Sequence, residues 1–330
     1  MRVVLLTGPD AFEITTVDDP TPGEADVIVD VAASGICGTD LHIMSGELGH
    51  DFPFIPGHEF SGVVTALGSA VSTLRVGDRV VVDPGLPCHT CSSCRAGVEN
   101  QCTRRGGLGE THDGGAAEFA RVPADNAILL PDSLGTGDAS FVEPVACAVH
   151  GLDSVGPVVG QHVLVLGAGT MGLVLTQLLA ASGAASVSVI DIAEDRATAA
   201  LHMGAAQVGT GPETLDRPQG WDVVVEASGS AGAVSVALES VARTGRLLQF
   251  GMASPSARVA LTPYDVFDRE ITIVGSKSYL HSFERSIDLL AAGIMDVSYL
   301  ITHRLPLEDY ETALNLLRNG AGRKIQVVPG

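Results

Sequence analysis

The chain has 330 residues, 45% apolar and 18% charged, a globular composition large enough for two domains and unlike that of a disordered protein. A formal net charge of −20 excludes a nucleic-acid backbone or an anionic membrane surface as its partner. No run reaches the roughly 18 apolar residues needed to cross a bilayer, and the start MRVVLL turns acidic too soon for a secretory signal. A cytoplasmic protein is therefore expected, with its six cysteines reduced.

In chain order, residues 1 to about 150 carry short β-like runs at Val3–Leu6, Val27–Ala32, Val63–Leu67 and Arg79–Val82, punctuated by Gly and Pro. They predict an irregular antiparallel β domain. Within it three polar segments stand out: Cys37-Gly-Thr39-Asp40-Leu-His42, Gly57-His58-Glu59 and Glu143-Pro144. Cys37, His58 and a carboxylate from Glu59 or Glu143 form the mixed S/N/O set of a catalytic zinc site, which leaves one position open. Each residue alone also fits a core or capping role, so spacing by itself does not choose. Such an ion would ease loss of an alcohol's proton, and Thr39 and His42 are chemically suited to carry that proton outward.

Residues 88–102 read CHTCSSCRAGVENQC, placing Cys88, Cys91, Cys94 and Cys102 two, two and seven residues apart. Four thiolates so close predict a closed structural zinc site. An iron–sulfur cluster is the competing reading, disfavoured by the long last gap and the lack of a following Pro. His89, inside the lobe, reads as a bystander.

From about residue 152 apolar strands alternate with Ala- and Leu-rich helices, predicted near 170–182, 194–203 and 231–242. That rhythm predicts a parallel sheet covered on both faces. Gly167-Ala-Gly169-Thr170-Met171-Gly172 follows the strand HVLVL and opens a helix, the context a dinucleotide's pyrophosphate requires. Asp191 ends the next strand, where a carboxylate holds the ribose hydroxyls and favours NAD over NADP; Arg196 nearby covers the adenine or, in another pose, accepts a phosphate. Two further helices, near 282–293 and 308–319, and the strand KIQVV could extend this sheet or return to the first domain.

With these motifs in order, the chain resembles the zinc-containing medium-chain alcohol dehydrogenases over nearly its whole length. GHEFSGVV, CGTDLH, EPVACAVHG and ITHRLPLEDYETALNLL bring it nearest the sorbitol (polyol) and threonine dehydrogenase branches. The resemblance implies an α/β fold: a GroES-like β-rich catalytic domain over 1–148 and 276–330, and a Rossmann doubly wound parallel-sheet cofactor domain over 149–275. It implies two zinc ions and NAD. Cys37, His58 and Glu59 would ligate the catalytic zinc, Glu143 joining directly or through water, with Thr39 as relay hydroxyl and Asp40 as an outer anchor. Cys147 would be a core residue. Phe250, Gly251, Met252, Ser276, Lys277 and Ser278 fall where these relatives touch NAD.

Ile43, Glu143 and Tyr279 are the expected substrate contacts. Lys277 and Ser278 stand where the polyol branch has Phe-Arg, and Ile43 replaces a frequent aromatic, so the substrate does not carry over. The expected reaction is hydride transfer from a secondary alcohol, polyol or cyclitol to NAD, giving a ketone. Threonine or another amino alcohol is the alternative. A non-catalytic nucleotide-sensing relative is disfavoured by the presence of Cys37 and His58. The family is commonly a homodimer or homotetramer.

Overall fold

Alternation of apolar and polar residues makes strands only where a partner covers the apolar face, and strand Asp26–Ile36 shows the extreme case: Asp30 alone along it is exposed. A computed structural model describes this strand and its surroundings over residues 1–47 and 51–330. The chain divides into two compact units, Met1–Glu143 with Phe283–Gly330, and Pro144–Ser282.

In the first unit Asp26–Ile36 is the centre of a seven-stranded sheet. Glu59–Leu67 pairs antiparallel along one side and leads to Arg79–Val82 and Ala127–Leu129. The other side takes Phe119–Pro123 near its start and Lys324–Val328 near its end, and Ile301–Pro306 lies beyond the latter. The last strand of the chain thus belongs to the first sheet. Gly35 pairs with Glu59 and Ile36 with Ile325, so residues at three strand ends gather at one corner. Val3, Leu6, Ile43, Phe54, Tyr310 and Ile325 pack one core of this unit, and Val29, Phe60, Val80 and Val122 a second.

The second unit holds six parallel strands in the order Gln207–Gly209, Ser186–Ile190, His162–Leu166, Trp221–Glu226, Val241–Gln249, Thr272–Gly275. Chain order reverses between His162–Leu166 and Trp221–Glu226, the switch point where open α/β sheets bind ligands. Several elements differ from expectation. Helix Glu194–Ala199 tightens into a 3₁₀ turn ended by Gly204 at φ +93°. Helix Ala231–Ser240 stops early because Val241 already begins a strand. Helices Gly38–Met44 and Val142–Val155 carry no obvious sequence signal, the latter having Pro144 in its first turn, where no intrahelical donor is lost.

Candidate active site

Cys37 closes the central strand and stands at the N-terminus of helix Gly38–Met44. Its backbone N–H donates to Asp40 Oδ2 at 2.8 Å. Asp40 Oδ1 lies 3.5 Å from His58 Nδ1, too far for a full hydrogen bond, and both residues are almost wholly buried. One carboxylate thereby faces two of the expected ligands. Burial works against a charged His58, but Asp40 and then Cys37 outweigh it and hold the imidazole well above its ordinary pKa. A metal takes the neutral ring, so loading this site would release a proton.

Ligand atoms of Cys37, His58 and Glu59 lie within 4.8 Å of one another, close enough to share one ion. Gly35 leaves room beside them: a Cβ there would come 2.1 Å from Glu59 Oε2, so the carboxylate would have to shift. Glu143, 8% exposed, is outside this group, although its charge helps raise the pKa of Lys324. Sequence reasoning missed Lys324 altogether. Its Nζ donates to Glu59 Oε1 at 2.7 Å, to Oε2 at 2.5 Å and to Ile36 O at 3.2 Å, with the side chain 4% exposed. A lysine entering an apolar strand reads as a solvent-facing end; only the register Ile325–Ile36 reveals it beside Glu59.

Thr39 Oγ1 is 3.7 Å from Cys37 Sγ. Thr39 and His42 stand three residues apart on one short helix, hence on one face. His42 Nδ1 meets Glu47 Oε2 at 2.5 Å with both side chains partly exposed. Ile43, expected near substrate, is fully buried in the first core, and Tyr279 is 8% exposed.

The four-cysteine lobe converges as its spacing requires. All four Sγ atoms lie within 4.8 Å of one another, with Cys91–Cys94 at 3.5 Å and Cys91–Cys102 at 3.9 Å. A tetrahedron with Zn–S bonds of about 2.3 Å has edges of about 3.8 Å, so the donor set fits zinc. Backbone N–H groups of Cys94 and Arg104 point at Cys91 and Cys102 sulfurs. The Thr90 hydroxyl and nearby N–H groups pull Cys88 down to about 5, while burial pushes Cys94 up to about 12, a cost a cation would lift. His89 is exposed and in a left-handed conformation, φ +53°.

In the second unit, Gly167 turns at φ +100° and Gly172 lies so close under it that a Cβ would sit 1.8 Å from Gly167 O. Beside Gly169 there is open space, and helix Thr170–Ala181 begins there with no side-chain cap. This cradle, continued by Thr170 and Met171, suits a pyrophosphate. Asp191 Oδ2 accepts from Ala168 N at 2.8 Å and Oδ1 from Ala193 N at 2.9 Å, and Arg196 Nε lies 3.3 Å from Oδ1. The carboxylate that should meet the ribose therefore also shapes the glycine turn. Phe250 and Gly251 are partly buried, Met252 is half exposed, Lys277 is exposed, and the buried Ser276 Oγ has no hydrogen-bond partner.

Residues 23–132 match the model of the alcohol dehydrogenase GroES-like domain, and residues 170–292 that of a zinc-binding dehydrogenase. The chain is 39% identical to D-altritol 5-dehydrogenase of Agrobacterium fabrum, covering 89% of this chain and 88% of that protein. It is 36% identical to D-arabinitol dehydrogenase 1 of Uromyces fabae, covering 100% and 97%. A solved structure from Sinorhizobium meliloti 1021, described only as a zinc-binding dehydrogenase and bound to NADP, aligns with TM-score 0.94 and 32% identity over 99% of each chain.

Proposed function

Because the chain belongs to the zinc-dependent alcohol dehydrogenase family, we propose that it oxidises a secondary hydroxyl of a polyol or cyclitol to a ketone, passing hydride to NAD. The convergence of Cys37, His58 and Glu59 carries this reading, because a purely structural fold needs no half-buried thiol beside a buried imidazole and carboxylate at one corner. Two of the relatives above are named for polyols, which favours a polyol over an amino alcohol.

Cys37 and His58 would hold the catalytic zinc with a carboxylate, and the ion would supply the Lewis acidity that stabilises an alkoxide. The Asp40 carboxylate stands 3.5 Å from His58 Nδ1, so Nε2 would be the ring nitrogen offered to the metal. Glu59 is the carboxylate whose oxygen lies within 4.8 Å of the other two donors, so it would complete the set, with Lys324 Nζ as its competitor for the ion and Glu143 joining directly or through water. Thr39 Oγ1 takes the substrate proton and His42 passes it to water beside Glu47. The Asp191 carboxylate repels a 2′-phosphate and so selects NAD.

The test is an absorbance screen for NADH or NADPH formation over polyols, cyclitols, diols and amino alcohols. Ketone formation from polyols, faster with NAD, is the expected outcome; activity confined to amino alcohols would overturn the substrate class, and preference for NADP the role given to Asp191.

Self-association is proposed through the outer edge of the second sheet. Phe267 is 79% exposed, Tyr264 67% and Ile273 46%, and among the described residues no strand pairs with the free side of Thr272–Gly275. An unpaired apolar edge invites a second copy across a two-fold axis. Phe267→Glu should convert a dimer to monomer in light scattering; an unchanged mass would remove this face from the interface. The thiol-rich lobe supports a cytoplasmic location, which recovery of the protein outside the cell would overturn.

A further inference from the structure

Glu226 is fully buried at the end of strand Trp221–Glu226, beside the switch point of the parallel sheet. Among the described residues it has no cationic partner, which makes a buried carboxylate expensive unless hydrogen bonds replace its water. They do. Oε1 accepts from Ser228 N at 2.7 Å, Ser228 Oγ at 2.5 Å and Gly229 N at 3.0 Å, and Oε2 from Gln249 Nε2 at 2.7 Å. Its main-chain carbonyl accepts from Phe250 N at 3.0 Å and Gly251 N at 2.7 Å.

The turns so gripped touch one another with no room to spare. A Cβ on Gly251 would fall 2.3 Å from Gly229 N, and one on Gly229 would fall 2.3 Å from Met252 O. A Cβ on Gly167 would reach 3.0 Å from the Ser228 side chain. Three turns at the carboxyl ends of the strands starting at His162, Trp221 and Val241 thus form one body around a single carboxylate.

We propose that Glu226 is a positioning residue for the dinucleotide: it never meets the cofactor, but fixes turns 227–230 and 249–252 against the glycine turn so that their cofactor-facing atoms are set before binding. This rests on reading the glycine turn as the dinucleotide site. Preorganised turns cost less to order when the ligand arrives, so loosening them should appear in cofactor affinity.

The test is NADH fluorescence titration of the zinc-loaded full chain carrying Glu226→Gln. The amide keeps the volume but sets an NH₂ group against the donors of Ser228, Gly229 or Gln249. The Kd for NADH should rise at least about tenfold, the scale of one charge-assisted hydrogen bond. KM for NAD should rise with it, kcat at saturating NAD should change far less, and two zinc ions should remain. Glu226→Asp should recover part of the affinity.

A folded Glu226→Gln protein with a Kd within twofold of wild type overturns the assignment. Should that variant not fold, Ser228→Ala and Gln249→Leu each remove one strap, and unchanged affinity in both overturns it equally. Wild-type protein that fails to bind NADH overturns instead the dinucleotide reading beneath it.

Discussion

Cys37→Ala is expected to take the chain from two zinc ions to one and to lower turnover about a thousandfold or more, because a Lewis acid at the reacting oxygen is worth several kcal/mol. The remaining ion stays in the four-cysteine lobe, whose sulfurs converge independently of Cys37. Cys91→Ala should have the complementary effect. It removes a sulfur that stands 3.5 Å from Cys94 and 3.9 Å from Cys102 and also accepts the N–H of Cys94 at the start of helix Ser92–Arg95. The lobe should then unravel locally while the corner of Cys37 and His58 keeps its metal. Metal analysis of both variants beside the wild type decides. A single zinc in the wild type that survives Cys37→Ala would place all the metal in the lobe and end the catalytic-zinc reading.

Where function was legible in the residues, a local rule made it so. Four cysteines within fifteen residues need no distant partner to declare a metal, and the glycine turn announces itself because strand, turn and helix follow directly in the chain. The catalytic corner obeys no local rule. Cys37, His58 and Lys324 meet because three strands end together, and strand register over nearly 290 residues of chain is not visible in any window of sequence. Helix Gly38–Met44 was hidden for a related reason: the chemistry of CGTDLH draws attention, while its capping pair, Cys37 N–H to Asp40, lacks the usual Ser or Thr. Glu226 was hidden at the end of DVVVEA, where a carboxylate closing a buried strand looks like the start of a loop. Only the five hydrogen bonds its carboxylate accepts show it to be an internal hub.

Lys324 carries the second large expectation. Around the proposed ion stand four potential negative charges, the Cys37 thiolate, Asp40, Glu59 and Glu143, against two positive charges on zinc and one on Lys324. Burial disfavours the ammonium, yet Glu59, then Cys37 and Glu143, overcome it and raise its pKa above 10.5. A raised lysine pKa stabilises the fold fully below the unfolded value and is lost only as pH rises through the folded one, so the pair stays intact across the neutral range. Lys324→Met should leave Glu59 buried without its cation, a change worth about 3–5 kcal/mol, which corresponds to a fall in melting temperature of roughly 10 °C in a chain of this size. Removing both partners in Glu59→Met, Lys324→Met should restore much of that loss, since two apolar side chains of similar volume leave no orphaned charge. The single variant should also bind its catalytic zinc more tightly, because Glu59 loses the competitor that now holds both its oxygens. Melting curves and zinc competition on Lys324→Met, Glu59→Met and the double variant separate these effects. A double variant as unstable as the two single losses added together would show that Lys324 and Glu59 stabilise the fold separately and not as a pair.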